Sequence, residues 1–286
     1  APHFALQAEE RIHDMLFGNI DYNIEFSDNF SLLAFLAVQK TNREHFTGVR
    51  PDIGTDADVS YLLDPPYGTS LNSTKQFGFQ LNYEYSGLIG KNNFTIGSDI
   101  LSDDVLDEIP AYNYIVDQNI YASGLLFQSD WIFNDHLSVL SGFRIDNHSL
   151  LRHKIISPRF SFLFNFQNNT QLRLSYSTGF RAPQAFDTDL HIAFAGGGVS
   201  RIELSDNLKE EKSNSFSGSL NYDYVKENFI YGFTLEGFYT KLQDAFYLEP
   251  DGVDSYGNLF VKTNGPGALV KGLGIDVRFN YNSNLQ

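Results

Sequence analysis

Apolar and polar residues alternate along this chain over segments that are long for strands. In the segment 171–181, Leu174 and Tyr176 belong to an apolar set, and Arg173 and Ser175 lie between them in a polar set. Successive side chains of a β-strand point to opposite faces, so this alternation predicts a strand with one apolar and one polar face. The pattern recurs and predicts about eleven strands, most of ten or more residues, whereas strands in globular proteins usually have about five to six.

The predicted connections alternate strictly between short turns and long loops. Residues rich in Asn, Asp and Gly mark short turns at 27–29, 90–93, 134–136, 167–170 and 226–228. Long loops are predicted at 48–74, 102–117, 184–215 and 249–270, and a shorter loop at 148–156. Transmembrane β-barrels have this asymmetry, with short periplasmic turns and long extracellular loops. The strand lengths also match the roughly 9–11 tilted residues that cross a bilayer.

Aromatic residues concentrate at the strand ends beside the short turns. Trp131 and Phe133, and later Tyr222 and Tyr224, are examples. Such rings favour the membrane–water interface and give barrels an aromatic girdle. The alternative is a soluble β-sandwich or β-solenoid with a Phe-rich core, but its strands would be shorter and its loops would not be sorted by side. We therefore predict an all-β, antiparallel transmembrane barrel.

Composition excludes several other classes of protein. The chain contains no apolar run of about 18 residues that would predict a transmembrane helix. The N-terminal segment lacks the basic and apolar regions of a signal peptide, which fits a mature protein or an internal fragment. The net charge of −15 argues against nucleic acid as a partner. Without G-x-S-x-G, H-E-x-x-H or a phosphate loop, we expect no enzyme and no cofactor.

Three short motifs frame the longest predicted loop. They are Phe180-Arg181-Ala182-Pro183, then Asp189-Leu190-His191, then Asn207-Leu208-Lys209 with Glu211 two positions later. In order and spacing they resemble the strand–loop–strand pattern of TonB-dependent outer-membrane receptors. The chain departs from that pattern at Asp206 and Glu210, where proline is common in the family. The resemblance in motifs covers about 157–217, and the resemblance in strand pattern covers most of the chain.

The resemblance implies a barrel of about 22 strands preceded by a plug domain. Because no plug-like segment precedes Ala1, we expect residues 1–286 to be about half of such a barrel, with the plug domain absent. The family implies a receptor in the outer membrane of a Gram-negative bacterium, surrounded by lipid, that imports a scarce and bulky nutrient. The TonB complex would act through a plug segment outside this sequence. A ferric siderophore is the first expectation for the cargo, followed by haem and cobalamin.

His191 is the candidate ligand for an iron-containing cargo. Haem receptors that resemble this family carry an iron-ligating histidine in the same interval, and imidazole suits iron. The alternative is that His191 is a loop histidine that forms hydrogen bonds with neighbouring residues and has no role in cargo binding. His45, His148 and His153 are expected at the same extracellular end, and His148 and His153 extend the candidate binding set.

Arg173 and Arg181 belong to the polar face and are expected to point into the barrel lumen. There they would guide an anionic cargo or pair with plug carboxylates. The alternative is ion pairing inside the barrel wall, for instance with Asp146 or Glu84.

Two acidic segments carry oxygen ligands, but neither matches a calcium-binding loop, so no metal site is assigned. Their candidate ligands are Asp52, Asp56 and Asp58, and Asp251, Asp254 and Asn258. Two functional alternatives remain beside the receptor: a passive channel, which requires an open lumen, and an outer-membrane enzyme, which requires a Ser–His pair that the sequence cannot place.

Overall fold

The computed structural model describes residues 1–166, 169–184, 199–226, 229–253 and 257–281, most of them in strands. The strands are β1 (Gln7–Ser27), β2 (Phe30–Val49), β3 (Tyr67–Gly87), β4 (Gly90–Ile109), β5 (Tyr114–Asn134), β6 (Leu137–His148), β7 (Ile155–Phe166), β8 (Thr170–Arg181), β9 (Val199–Leu204), β10 (Glu211–Lys226), β11 (Phe229–Gln243), β12 (Phe246–Val253), β13 (Gly257–Asn264) and β14 (Ala268–Tyr281). The described residues also form the helix α1 (Asp56–Leu63) and two 3₁₀ turns, Pro2–Phe4 and Pro110–Tyr112. No helix among the described residues is long and apolar enough to cross a membrane.

Eleven of the strands form one sheet in the order β1-β2-β3-β4-β5-β6-β7-β8-β10-β11-β14. Every neighbouring pair is antiparallel. The chain therefore makes successive hairpins, and their short turns all lie at one end of the sheet, here called the turn end. The longer connections lie at the opposite end, here called the loop end. This architecture confirms the all-β antiparallel prediction and its count of about eleven strands.

The loop end differs from the prediction in the first half of the chain. Residues 48–74 were expected to form a loop, but β2 continues to Val49, α1 follows, and β3 begins at Tyr67. The second expected loop, at 102–117, is also wrong, because β4 continues to Ile109 and β5 begins at Tyr114. Backbone ladders do not require an apolar face, so paired strands continue where the hydrophobic alternation stops.

A second, three-stranded sheet lies in the connections of the second half of the chain. Its order is β12-β13-β9, with β12 antiparallel to β13 and β13 parallel to β9. The prediction of a loop at 249–270 is therefore wrong over most of that range. The strands are short and one partner comes from a distant part of the chain, so the local pattern does not reveal them.

The large sheet leaves its apolar face exposed. Leu273, Ile275 and Val277 on β14 are 86%, 74% and 74% exposed. The buried apolar side chains of the described residues are few: Phe46, Val105, Ile109, Ile120, Ile155 and Ala182. A soluble sheet of this size would bury its apolar face on a second layer, so the face is built to contact an apolar medium.

Successive hairpins are staggered along the sheet. Phe30, at the first turn, pairs with Tyr83, although β3 continues to Gly87 before it turns. Thr170 likewise pairs with Tyr222, although β10 continues to Lys226. When positions are compared straight across the hydrogen bonds, each later hairpin turn thus lies further from the loop end than the one before it. This offset is the stagger of strands that are tilted against the axis of a barrel.

Candidate functional site

The loop ends of β8 and β10 bring two of the predicted motifs together. Arg181, the last residue of β8, pairs directly with Glu211, the first residue of β10. Ala182, which follows Arg181, is buried. The residues 180–183 and 207–211 therefore meet at one strand pair, and they form the base of the candidate site.

The ring of Phe246 lies against two cations at this base. The guanidinium carbon of Arg181 is 5.7 Å from the ring centroid, and the Nζ of Lys262 is 4.6 Å from it. The backbone N–H of Phe246 donates to Oε2 of Glu211 at 3.0 Å. Cation–π contacts of this kind contribute about 0.5–2 kcal/mol each. They attach the three-stranded sheet to the strand ends that carry the motifs.

Lys262 is almost fully enclosed in this arrangement, with 1% of its surface exposed. Its ammonium donates to the backbone oxygen of Gln184 at 3.0 Å. Burial lowers the pKa of Lys262 to about 8, and the positive charge of Arg181 acts in the same direction, while Glu211 opposes it. The site therefore holds a lysine whose charge is sensitive to mildly alkaline pH.

Asn264 fastens the motif at 207–209 to the rest of the loop end. Its Oδ1 accepts a hydrogen bond from the backbone N–H of Lys209 at 2.8 Å. Its Nδ2 donates to the backbone oxygens of Lys209, at 3.1 Å, and Asp244, at 2.7 Å. One amide side chain thus serves three backbone groups, as a neighbouring strand would.

Glu210 stands where the family pattern has proline, and it is the centre of a charge cluster. It is 3% exposed and its Oε1 lies 2.7 Å from Lys212 Nζ and 3.0 Å from His153 Nε2. Burial opposes ionisation of Glu210, but the hydrogen bond from Lys212, a backbone hydrogen bond and His153 outweigh it and hold the pKa below its ordinary value. A carboxylate here ties the connection at 149–154 to the motif, which a proline could not do.

A cavity of about 600 Å³ opens beside this cluster. It lies between the connection at 149–154 and the residues 204–210, and Pro183 forms part of its wall. Its polar lining includes the basic residues Arg152, His153 and Lys209 and the acidic residues Asp206 and Glu210. The volume is in the range of pockets that hold small molecules.

The predicted histidines have different environments. His153 is exposed, with 59% of its side chain accessible, and lines the cavity. His148 is buried, and its Nδ1 accepts from the backbone N–H of Leu150 at 3.2 Å. Burial lowers the pKa of His148, against the attraction of Asp146. His45 is buried beside Asp107, and His191 lies outside the described residues, as do Asp189 and Leu190.

Arg173 is exposed on the polar face of β8 and makes no ion pair with a described residue. The alternative partner Asp146 is taken by Arg144, whose Nε donates to it at 2.7 Å. Arg144 also holds Asp99 with two hydrogen bonds, at 2.7 and 3.1 Å. Of the two arginines predicted to face the lumen, Arg173 is thus exposed on the polar face and can contact a ligand, whereas Arg181 contacts Phe246.

The acidic segment at the start of α1 has a structural role. Asp58 accepts from Arg50 at 2.5 and 3.0 Å and from the N–H of Gly54 at 2.9 Å. Within the described ranges, no group of three His, Asp or Glu side chains is placed to hold a metal ion. Asp254, from the other acidic segment, lies outside those ranges.

A second polar cluster at the loop end surrounds His45, and its other members, Arg43 and Asp107, are not predicted from the sequence. Asp107 on β4 is fully buried, and its Oδ1 lies 3.3 Å from both Arg43 Nη2 and His45 Nε2. Burial raises the pKa of Tyr114, and the negative charge of Asp107 acts in the same direction. The signal for this cluster is the pairing of polar residues across β2, β3, β4 and β5, and the sequence pattern hides it because it predicts loops at 48–74 and 102–117.

Comparison with known proteins identifies the family of this chain. The family model described as "TonB dependent receptor-like, beta-barrel" matches residues 6–286. The chain therefore belongs to the β-barrels of TonB-dependent receptors, which confirms the resemblance in the motifs. Its place is the outer membrane of a Gram-negative bacterium. No curated protein sequence matches it.

Solved structures agree with this fold. The siderophore receptor PirA from Pseudomonas aeruginosa has a TM-score of 0.63 at 14% identity, over 93% of this chain and 53% of that one. The outer membrane transporter YddB from Escherichia coli has a TM-score of 0.71 at 11% identity, over 95% and 40%. The Serratia marcescens hemophore receptor HasR, solved with HasA and heme, has a TM-score of 0.68 at 13% identity, over 95% and 47%. The chain thus spans about half the length of these relatives, or less.

Proposed function

We propose that this chain is the barrel wall of a receptor that imports a ferric siderophore across the outer membrane. The cavity at the loop end carries the proposal, because Arg152, His153 and Lys209 offer cationic donors to an anionic iron chelate. The exposed Arg173 adds a positive charge on the polar, lumen-facing side. Membership of a family of transporters and receptors, and the likeness to a siderophore receptor, support this reading.

We further propose that the plug domain and its contact with the TonB complex lie outside residues 1–286. The length of the solved relatives, about twice that of this chain, supports this division. Transport then depends on the whole receptor, and the residues described here provide the wall, the loop-end cavity and the contact with lipid.

The proposal is tested by titrating the full-length receptor in detergent with ferric enterobactin, a catecholate siderophore, and following its visible absorbance. We expect saturable binding that weakens about tenfold or more in the double variant Arg152→Gln/Lys209→Gln, since two charge-assisted contacts are lost. Lys226→Gln, at the turn end of β10, is the matched control and should bind like the wild type. Equal binding by the double variant would contradict the assignment of the cavity.

Haem is the second candidate cargo, supported by His191 in the motif interval and by the likeness to HasR. A haem absorbance band that shifts in the wild type and not in His191→Ala would make His191 an iron ligand and replace the siderophore proposal. A passive channel would instead give steady single-channel conductance in a planar bilayer, which a plugged receptor does not. An outer-membrane enzyme would lose a measurable activity when one Ser or His is changed.

A further inference from the structure

Three lysines stand on the apolar face of the large sheet, near the loop ends of neighbouring strands. Lys241 lies on β11 at an odd position, on the same face as Leu235, and Lys271 lies on β14 on the same face as Ile275, which pairs with Leu235. Lys212 on β10 occupies the same face by the same alternation, since Phe216 pairs with Tyr239. Charges are uncommon on this face, because most of its residues between the two ends of the strands are apolar and contact lipid.

The three lysines lie close to one level of the membrane. Lys212 pairs straight across with Gln243, and Lys241 is two residues nearer the turn end. Lys241 pairs with Leu269, and Lys271 is again two residues nearer the turn end. The hairpin turns drift in this same direction from strand to strand, so the lysine row follows the tilt of the strands and runs roughly parallel to the membrane.

Depth along the strand places this row at the outer boundary of the lipid. Tyr231 lies at the turn end of β11 and contacts Tyr222 and Tyr224 in the aromatic girdle. Lys241 is ten positions further along the strand (231 to 241). A membrane strand takes about 9–11 residues to cross the bilayer, so the lysines reach the headgroups of the outer leaflet.

The row has no acidic counterpart on its own face. The lipid-facing positions of β10, β11 and β14 within 211–226, 229–243 and 268–281 contain no Asp or Glu, although the chain has 35 acidic residues and 20 basic ones. Lys212 shares Glu210 with His153. Lys241 and Lys271 are exposed and make no ion pair with any residue that the structure describes.

An apolar depression of about 1000 Å³ adjoins the lysines on the side of the membrane interior. Its floor is made by Gly218 and Gly237, which pair directly across β10 and β11 and leave the ladder without side chains. Aromatic and aliphatic side chains form the walls. They are Phe160, Phe162, Leu174, Tyr176, Phe216, Tyr239 and Leu273, and Lys271 lies at the rim.

We propose that this surface binds a phosphorylated, multiply acylated glycolipid of the outer leaflet, the lipid part of lipopolysaccharide. The depression receives acyl chains, and Lys241 and Lys271 hold phosphate. Diagonal neighbours on paired strands are about 7–8 Å apart, so Lys241 and Lys271 present two positive charges to one phosphorylated headgroup, and Lys212, although paired with Glu210, extends the row to about 15 Å. A phospholipid headgroup with one phosphate would engage only part of the row.

The test is native mass spectrometry of the full-length receptor in detergent, titrated with diphosphorylated lipid A and, separately, with phosphatidylglycerol. The variant is Lys241→Gln/Lys271→Gln, and the control is Lys226→Gln, a lipid-facing lysine at the turn end of β10. We expect the double variant to bind lipid A about 30-fold more weakly, the factor for two lysines at a membrane surface, and the control to bind like the wild type. Heat-modifiable gel mobility verifies that each variant is folded.

Three results would overturn the proposal: unchanged binding of lipid A by the double variant, an equal loss in the control, or equal affinity of the wild type for phosphatidylglycerol. The last result would identify the surface as a general site for anionic lipid. None of these outcomes bears on the cargo, because the surface faces away from the lumen.

Discussion

Lys262 carries an amine into a space closed to water, and its protonation should be visible in the stability of the receptor. Its pKa in the fold is about 8 and its ordinary value is 10.5. The unfolded chain therefore holds the proton more tightly, and stability rises as the pH increases from about 8 toward 10.5, by up to about 3 kcal/mol. We expect the Tm in detergent to show this rise in the wild type and to lack it in Lys262→Met.

Methionine keeps an apolar stem against Phe246 but has neither the charge nor the hydrogen bond to Gln184. Lys226→Met, at an exposed position, is the control that reports the titration of all other groups. If the difference in Tm between the wild type and Lys262→Met is the same at pH 7.5 and pH 10, the shifted pKa of Lys262 makes no contribution to stability.

Gly124 is required because Arg144 crosses it on the polar face. A Cβ at this position would overlap the guanidinium of Arg144, which holds Asp99 and Asp146. We expect Gly124→Ala to break these bonds and lower the free energy of unfolding by about 1–2 kcal/mol, since the partners are partly exposed. Gly274→Ala, where a Cβ meets nothing within 4 Å, should leave the Tm unchanged. An equal Tm for the Gly124→Ala and Gly274→Ala variants would contradict the requirement for glycine beneath Arg144.

At the scale of elements, the three-stranded sheet depends on Asn264. Asn264→Ala removes three hydrogen bonds to the backbone of Lys209 and Asp244, a loss of about 2–3 kcal/mol. We expect the sheet to detach locally, and limited proteolysis to cut the 244–267 connection faster while the large sheet stays folded. Asn258→Ala, exposed on the same strand, is the control, and equal cleavage of both variants would show that the amide is dispensable.

The strands were predictable where lipid imposes a pattern and unpredictable where only the backbone pairs. Alternation identified β11 from Phe229 onward, because every second side chain faces lipid. At the loop end of β3 and β4 the pattern ends, yet polar contacts such as Asn72 with Asp103, at 3.0 Å, continue the pairing. Water accepts polar residues on both faces of such an extension, so the sequence lacks the signal there.

The candidate site was predictable only in part, for a related reason. The motif around Arg181 indicated the family and the strand ends. The contact of Arg181 with Phe246, however, joins residues more than sixty positions apart in the sequence, and Lys262 lies on β13, which pairs with the distant strand β9. Local patterns do not contain such long-range pairing, and the isolated lysine gave no hint of its burial.

At the scale of the whole molecule, the outer edges of β1 and β14 have no partner among the described strands. Each unpaired backbone group costs several kcal/mol in lipid, so we expect residues 1–286 produced alone to fail to insert as a stable barrel. The measurement is heat-modifiable mobility on gels after refolding in detergent, with the full-length receptor as control. A compact, heat-modifiable band from residues 1–286 alone would contradict this expectation.

The odd number of strands in the large sheet has a geometric consequence for assembly. Because eleven strands alternate in direction, β1 and β14 run the same way and would meet as a parallel pair if the sheet closed on itself. Bacterial single-chain barrels close with even numbers of antiparallel strands. Hairpins add strands in twos, so no set of whole hairpins can complete this wall. The ring therefore needs an odd number of further strands, so that the last of them can pair antiparallel with β1.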